Sequence, residues 1–150
     1  MKKILTIEAK ESYLNAAILI LRLSIAVLML THGFPKLEKL LEGGEIKFAD
    51  PIGLGPAFSL ILVVFAEFFC SILIGIGLFT RLATIPLIIN MSVAAFIVHE
   101  ADPIGRKELA LLYLLIYLTL TVIGGRKYSV DSLLTRNNNI KGTGYLNLLL

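Results

Sequence analysis

Four apolar runs, Ala16–Thr31, Ala57–Phe79, Leu82–Val98 and Leu109–Gly124, dominate the chain and limit what it can become. Each approaches the ~17–25 residues that a helix needs to cross a bilayer. Runs this long and this uniformly apolar satisfy their backbone in lipid by forming helices. The links between them are mostly short, which makes successive helices antiparallel neighbours. The sequence therefore predicts an all-α integral membrane protein, an antiparallel four-helix bundle, with residues 1–150 as one domain. Of the 150 residues 57% are hydrophobic and 17% charged, too little charge for the wetted surface of a soluble domain.

Basic residues in the links set the topology. Eight lie on the side of the N-terminus, second link and C-terminus, against five on the other side, which predicts cytoplasmic termini. Glu8, Lys10 and Glu11 precede the first apolar run, Arg22 interrupts it, and no small-residue cleavage site follows, so no cleaved signal peptide is expected. No basic cluster is interleaved with aromatics, so membrane lipid and not nucleic acid is the expected surrounding partner. Within the first link, PKLEKLLEGG reads as a short separate amphipathic helix that starts at Pro35. FADPIGLGP reads as a turn-rich return into the second span.

Each apolar run contributes one polar residue to a common depth: Arg22, Glu67, Asn90 and Tyr117. Counted from span ends at His32, Ala57, His99 and Glu108, all four fall roughly 13–15 Å deep. An unpaired charge at that depth costs ~2.5–3.5 kcal/mol or more. The economical arrangement is an Arg22–Glu67 ion pair, with Asn90 and Tyr117 meeting its remaining donors and acceptors. Such a pair either fixes the register of the bundle or lines a ligand or proton site. Tyr113 shares a helical stripe with Tyr117 and joins this set.

A second polar group, His32, Lys36, His99, Glu100 and Glu108, is expected nearer the non-cytoplasmic mouth. Its histidines and carboxylates are of the kinds that hold metals or relay protons, but no HxxxH or HxxE spacing places them on one helix face, and no metal site is assigned. Cys70, the single cysteine, reads as a packing residue.

The segments LRLSIAVLMLTHGFPKL, AEFFCSILIGIGLFTRLATIPLIINM, VHE, KELALLYLL and GGRKYSVDSLL, in this order and spacing, resemble the DoxX family of small bacterial and archaeal membrane proteins. The family pattern carries over onto Arg22, Gly33, Lys36, Glu67, Gly77, Arg81, Ala83, Glu108 and Asp131. The resemblance implies a multi-pass protein of the plasma (inner) membrane, linked to redox metabolism. Relatives include a thiosulfate:quinone oxidoreductase subunit and proteins associated with thiol, oxidative or quinone stress. The chain has no CxxCH, CxxC or dinucleotide fingerprint, so no intrinsic cofactor is expected. The expectation is a quinone-interacting subunit, without autonomous enzyme activity, that draws electrons from a soluble or membrane redox partner. Arg22 or Tyr117 would donate to the quinone head and Glu67 would exchange its protons. The alternative is a small transporter, which would need a homo-oligomer, or an assembly subunit without chemistry.

Overall fold

Nearly all of each apolar run is helical. The computed structural model describes residues 10–141, with side chains as far as Arg136, and among them no strand occurs. The first helix, α1, runs unbroken over Glu11–Glu42. The separate helix expected from Pro35 is instead its last part. A proline inside a helix removes one N–H and frees one carbonyl, here that of Thr31. The close packing of α1 along α2 outweighs that loss. At 1.5 Å per residue, these 32 residues extend about 48 Å, well beyond a hydrocarbon core of ~30 Å.

A link with positive φ at Gly43, Gly44, Gly53 and Gly55 leads to α2, Pro56–Ile76, which has its proline at the start, where no N–H is needed. The helix widens into a π-helical turn over Phe65–Cys70. It ends at Gly77 in the left-handed region (φ 75°), where Leu78 N–H closes back onto Leu73 O at 2.9 Å. The tight hairpin leads to α3, Thr80–Val98, which has a second π-helical turn over Ala94–Val98. Then come α4, Ile104–Ile123, and α5, Val130–Lys141.

Helices α1, α2 and α3 are each long and apolar enough to cross a membrane. Helix α4 opens with Arg106, Lys107 and Glu108, and its apolar part is the remainder, Leu109–Ile123. The outer faces carry Ile20, Val27, Phe58, Phe69, Ile89, Phe96, Leu115 and Val122, while Asn15, Arg22, Ser59, Glu67, Ser71, Thr80 and Thr84 are buried. Apolar outside and polar inside is the distribution that acyl chains select. This is an all-α membrane protein. Packing runs from α1 to α2, α2 to α3 and α3 to α4, and Ile18, Ile25 and Met29 of α1 share one buried core with Tyr113, Tyr117 and Leu120 of α4.

The end of the bundle near Gly77 is locked by polar contacts. Arg22, 1% exposed, donates from Nε to Ile74 O (3.0 Å), from Nη2 to Gly75 O (3.0 Å), and from Nη1 to Gly125 O (2.6 Å) and Tyr128 O (3.0 Å). Its charge thus sits at the C-terminal end of α2, where the helix dipole is negative and the last carbonyls lack partners. Asp131 accepts from Phe79 N–H (2.6 Å), Thr80 N–H (3.0 Å) and the Thr80 hydroxyl (2.9 Å), so α5 supplies the N-cap of α3. Any Cβ at Gly77 would collide with the Arg22 guanidinium, which explains why this turn needs glycine.

Candidate functional site

The expected Arg22–Glu67 pair does not form. A Cβ at Gly33 would meet the Glu67 carbonyl carbon at 2.7 Å, so Gly33 marks the level of Glu67 on α1. Eleven positions of α1, about 16 Å, separate that level from Arg22. The depth estimate failed because it ended the first span at His32, ten residues short of the true helix end at Glu42.

Glu67 pairs instead with Lys36. The Lys36 ammonium donates to Oε1 at 2.6 Å and to Oε2 at 2.5 Å, and Asn90 Nδ2 donates to Oε1 at 2.9 Å. Three helices thus meet at one carboxylate: α1 through Lys36, α2 through Glu67 and α3 through Asn90. Two local features bring them together. Gly33 lets the α1 backbone touch α2, and Lys36 follows one turn later on the same face. Glu67 lies inside the π-helical turn, a local widening often found at functional sites. The Glu67 side chain is 5% exposed and that of Lys36 29%, so the pair is reachable from one side only, by way of Lys36.

That side is a cavity of about 510 Å³ between α2 and α3. Lys36, Glu67 and Asn90 form its polar end, and Leu62, Val63, Phe65, Pro86, Ile89 and Val93 its apolar walls. Phe65 and Ile89 are half exposed and face outward, so the cavity communicates with the lipid-facing surface. The link between α1 and α2 roofs it with Phe48, Ala49, Pro51 and Ile52. Asp50 anchors this roof: its carboxylate accepts from Leu54 N–H (2.9 Å), Gly55 N–H (2.8 Å) and the Ser59 hydroxyl (2.7 Å).

The hydrogen bond from Ser59, then that from Gly55, holds the Asp50 carboxyl below the usual carboxylate range. Because the pKa is lowered on folding, the anchor's contribution is complete above the ordinary value. It is lost only as the pH falls through the lowered folded value. Protection of the Leu54 and Gly55 amides, relative to their intrinsic exchange rates, should therefore hold from neutral pH down to the ordinary carboxylate pKa and be lost as the pH falls on through the lowered folded value. Asp50→Ala should remove it throughout.

The remaining sequence candidates fall elsewhere. Tyr113 and Tyr117 are buried on α4 with their rings stacked at 6.1 Å, and neither is among the residues that line the cavity. The Tyr117 hydroxyl lies beside that of Ser71 and makes no hydrogen bond to Glu67, whose partners are Lys36 and Asn90, so it does not serve the carboxylate as expected. The mouth ring does not assemble. His32 is exposed and meets the Tyr113 ring edge-on at 6.0 Å, Lys36 has turned inward, and Glu108 is exposed. His99 lines the cavity and bonds through Nδ1 to Asp102 at 2.7 Å, which also pairs with Arg106 at 3.3 Å. Among the described residues no three His, Cys, Asp or Glu side chains gather as a metal site. Sequence reasoning missed the roof residues and the π-helical turns. It placed Lys36 at the mouth, although its position three residues after Gly33, on the face of Met29 and Arg22, pointed inward.

A helical membrane bundle with a buried Lys–Glu–Asn cluster at the end of an apolar cavity is the class of protein these features define. The DoxX family profile matches residues 17–100, and the chain belongs to the DoxX family. It is also 31% identical, over 132 residues, to a Haemophilus influenzae protein described as uncharacterized, covering 81% of this chain and 93% of that one. No solved structure matches.

Proposed function

We propose that the α2–α3 cavity binds a quinone and that the protein serves as the quinone-interacting subunit of a membrane redox system. The observation that carries this reading is a hydrogen-bonding cluster, Lys36, Glu67 and Asn90, at the inner end of an apolar cavity beside lipid-facing Phe65 and Ile89. The volume lies within the ~300–1,000 Å³ of ordinary ligand sites. A quinone has two carbonyl oxygens that accept hydrogen bonds and an apolar tail. Lys36 and Asn90 are the donors for the head, in place of Arg22 and Tyr117, and the walls suit the tail. Reduction to the quinol consumes two electrons and two protons. The electrons come from the reduced flavin or iron–sulfur centre of a partner protein, and Glu67 passes the protons.

The chain has no Trp, so Ile89→Trp places a single reporter at the cavity rim. A short-tailed benzoquinone should quench it saturably in lipid nanodiscs. Lys36→Met, which removes a charged donor worth ~1.5–3 kcal/mol, should weaken binding tenfold or more. Quenching that rises linearly without saturation, identical in both proteins, would mean simple partitioning and would contradict the reading.

A further inference from the structure

The antiparallel helices bring the start of α1, the end of α2, the start of α3 and the end of α4 to one end of the bundle, and α5 lies there with them. Acid is scarce at this end. Asp131 is 5% exposed and committed to capping α3, which leaves Glu11 as the exposed carboxylate among the described residues. Against it stand Lys10, Arg81, Lys127 and Arg136, all exposed, and Arg126, half-buried. None of these cations pairs with a carboxylate among the described residues. At the opposite end, around the cavity roof, acidic side chains outnumber basic ones.

Two of the guanidiniums are fixed by the protein and still have donors to offer. Arg81 donates through Nη2 to Val122 O (3.2 Å) at the end of α4, and Arg126 through Nε to Asn15 Oδ1 (2.9 Å) at the start of α1. A guanidinium has more N–H donors than one such contact uses. Held in place and only partly used, its planar fork suits the oxygens of a phosphate.

Helix α5 adds an apolar part to the same surface. It buries Asp131 and leaves Leu133 and Leu134 exposed, at 62% and 37%, with Tyr128 exposed just before it. Lys127 and Arg136 flank these leucines along the chain. Exposed leucines between cations, on a short helix at the end of a membrane bundle, fit a helix lying in the headgroup layer. The acyl-chain boundary takes the leucines, and the long basic side chains reach the phosphates. Tyrosine is enriched at the same level.

We propose that this end of the bundle is a docking surface for anionic phospholipid. Helix α5 lies in the headgroup layer, with Leu133 and Leu134 toward the acyl chains and Arg81, Lys127 and Arg136 on headgroup phosphates. Charge complementarity selects the occupant. A zwitterionic headgroup carries its own cation beside the phosphate and weakens the attraction, whereas an anionic headgroup leaves it whole. Each Lys or Arg near an anionic lipid surface favours it about fivefold. The lipid covers the end that Arg22 and Asp131 lock, and neither the cavity nor its ligand enters this site.

The chain has no Trp, so Leu133→Trp and Phe96→Trp each give a single reporter. Phe96 is exposed in the last turns of α3, near the other end of the bundle. Each protein is placed in nanodiscs of phosphatidylcholine with a minor share of phosphatidylglycerol, with one lipid or the other brominated in its acyl chains. Molecule for molecule, brominated phosphatidylglycerol should quench Leu133→Trp about fivefold more effectively than brominated phosphatidylcholine. Phe96→Trp should show no preference. Arg81→Gln, Lys127→Gln and Arg136→Gln together should abolish the preference at Leu133→Trp, and Lys127→Gln alone should lower it part of the way. Equal quenching by the two lipids at Leu133→Trp would overturn the proposal. So would an equal preference at Phe96→Trp, or a preference that both the triple variant and Lys127→Gln retain in full.

Discussion

Arg22→Met should lower the unfolding free energy by at least ~3 kcal/mol, read as a fall in the denaturing detergent fraction at the unfolding midpoint. The guanidinium satisfies four carbonyls, those of Ile74, Gly75, Gly125 and Tyr128, at the end where α2, α3 and α5 converge. Methionine fills much of the volume but donates nothing; Ile74 O keeps its bond from Gly77 N–H, and each of the other carbonyls left dry costs ~1–3 kcal/mol. Arg22→Lys should recover only part of the loss, because an ammonium cannot reproduce the planar fork. The role of Arg22 here is to position and lock. Benzoquinone affinity in the folded fraction of either variant should stay within about twofold of wild type. A ligand-binding defect in Arg22→Lys with full stability would contradict this assignment.

Gly33→Val should damage both the fold and the site. A Cβ there would stand 2.7 Å from the Glu67 carbonyl carbon, 2.8 Å from its oxygen and 2.9 Å from Phe68 N. These are backbone atoms within a helix, so relief requires α1 and α2 to part. Overpacking of this kind costs ~1–3 kcal/mol, and the branched side chain of valine should reach the upper part of that range. The separation also draws Lys36 away from Glu67, so quenching of the Ile89→Trp reporter by benzoquinone should lose its saturation. Gly33→Ala should show the same two effects at reduced size. Full stability and unchanged binding in Gly33→Val would show that the close approach of α1 to α2 does not hold the site together.

The helices were legible because apolarity in lipid leaves the backbone one solution, and the short links made successive helices antiparallel neighbours. Depth was less legible. Placing Arg22 level with Glu67 required the end of α1, and Pro35 resembled a helix start although it lies within the helix. The error moved the arginine from the lock to the cavity. Glu67 and Asn90 were brought together correctly, because both were counted from helix ends that the sequence marks well. Six of the nine residues carried over from the family pattern fall into two groups that a linear reading cannot distinguish. Arg22, Gly77 and Asp131 gather at the locked end, whereas Gly33, Lys36 and Glu67 gather at the cavity. The π-helical turns over Phe65–Cys70 and Ala94–Val98 went unread, since apolar periodicity alone does not separate a π-helical turn from the α-helix around it.

The most direct test is a pair of double-mutant cycles on unfolding free energy, one joining Lys36→Met with Glu67→Gln and the other joining Arg22→Lys with Glu67→Gln. Partners in contact couple by ~0.5–3 kcal/mol, while residues more than ~7–10 Å apart add to within ~0.5 kcal/mol. The structure predicts coupling of ~1.5 kcal/mol or more for Lys36 with Glu67 and additivity for Arg22 with Glu67. Coupling of Glu67 to Arg22, with additivity toward Lys36, would contradict the assembled site.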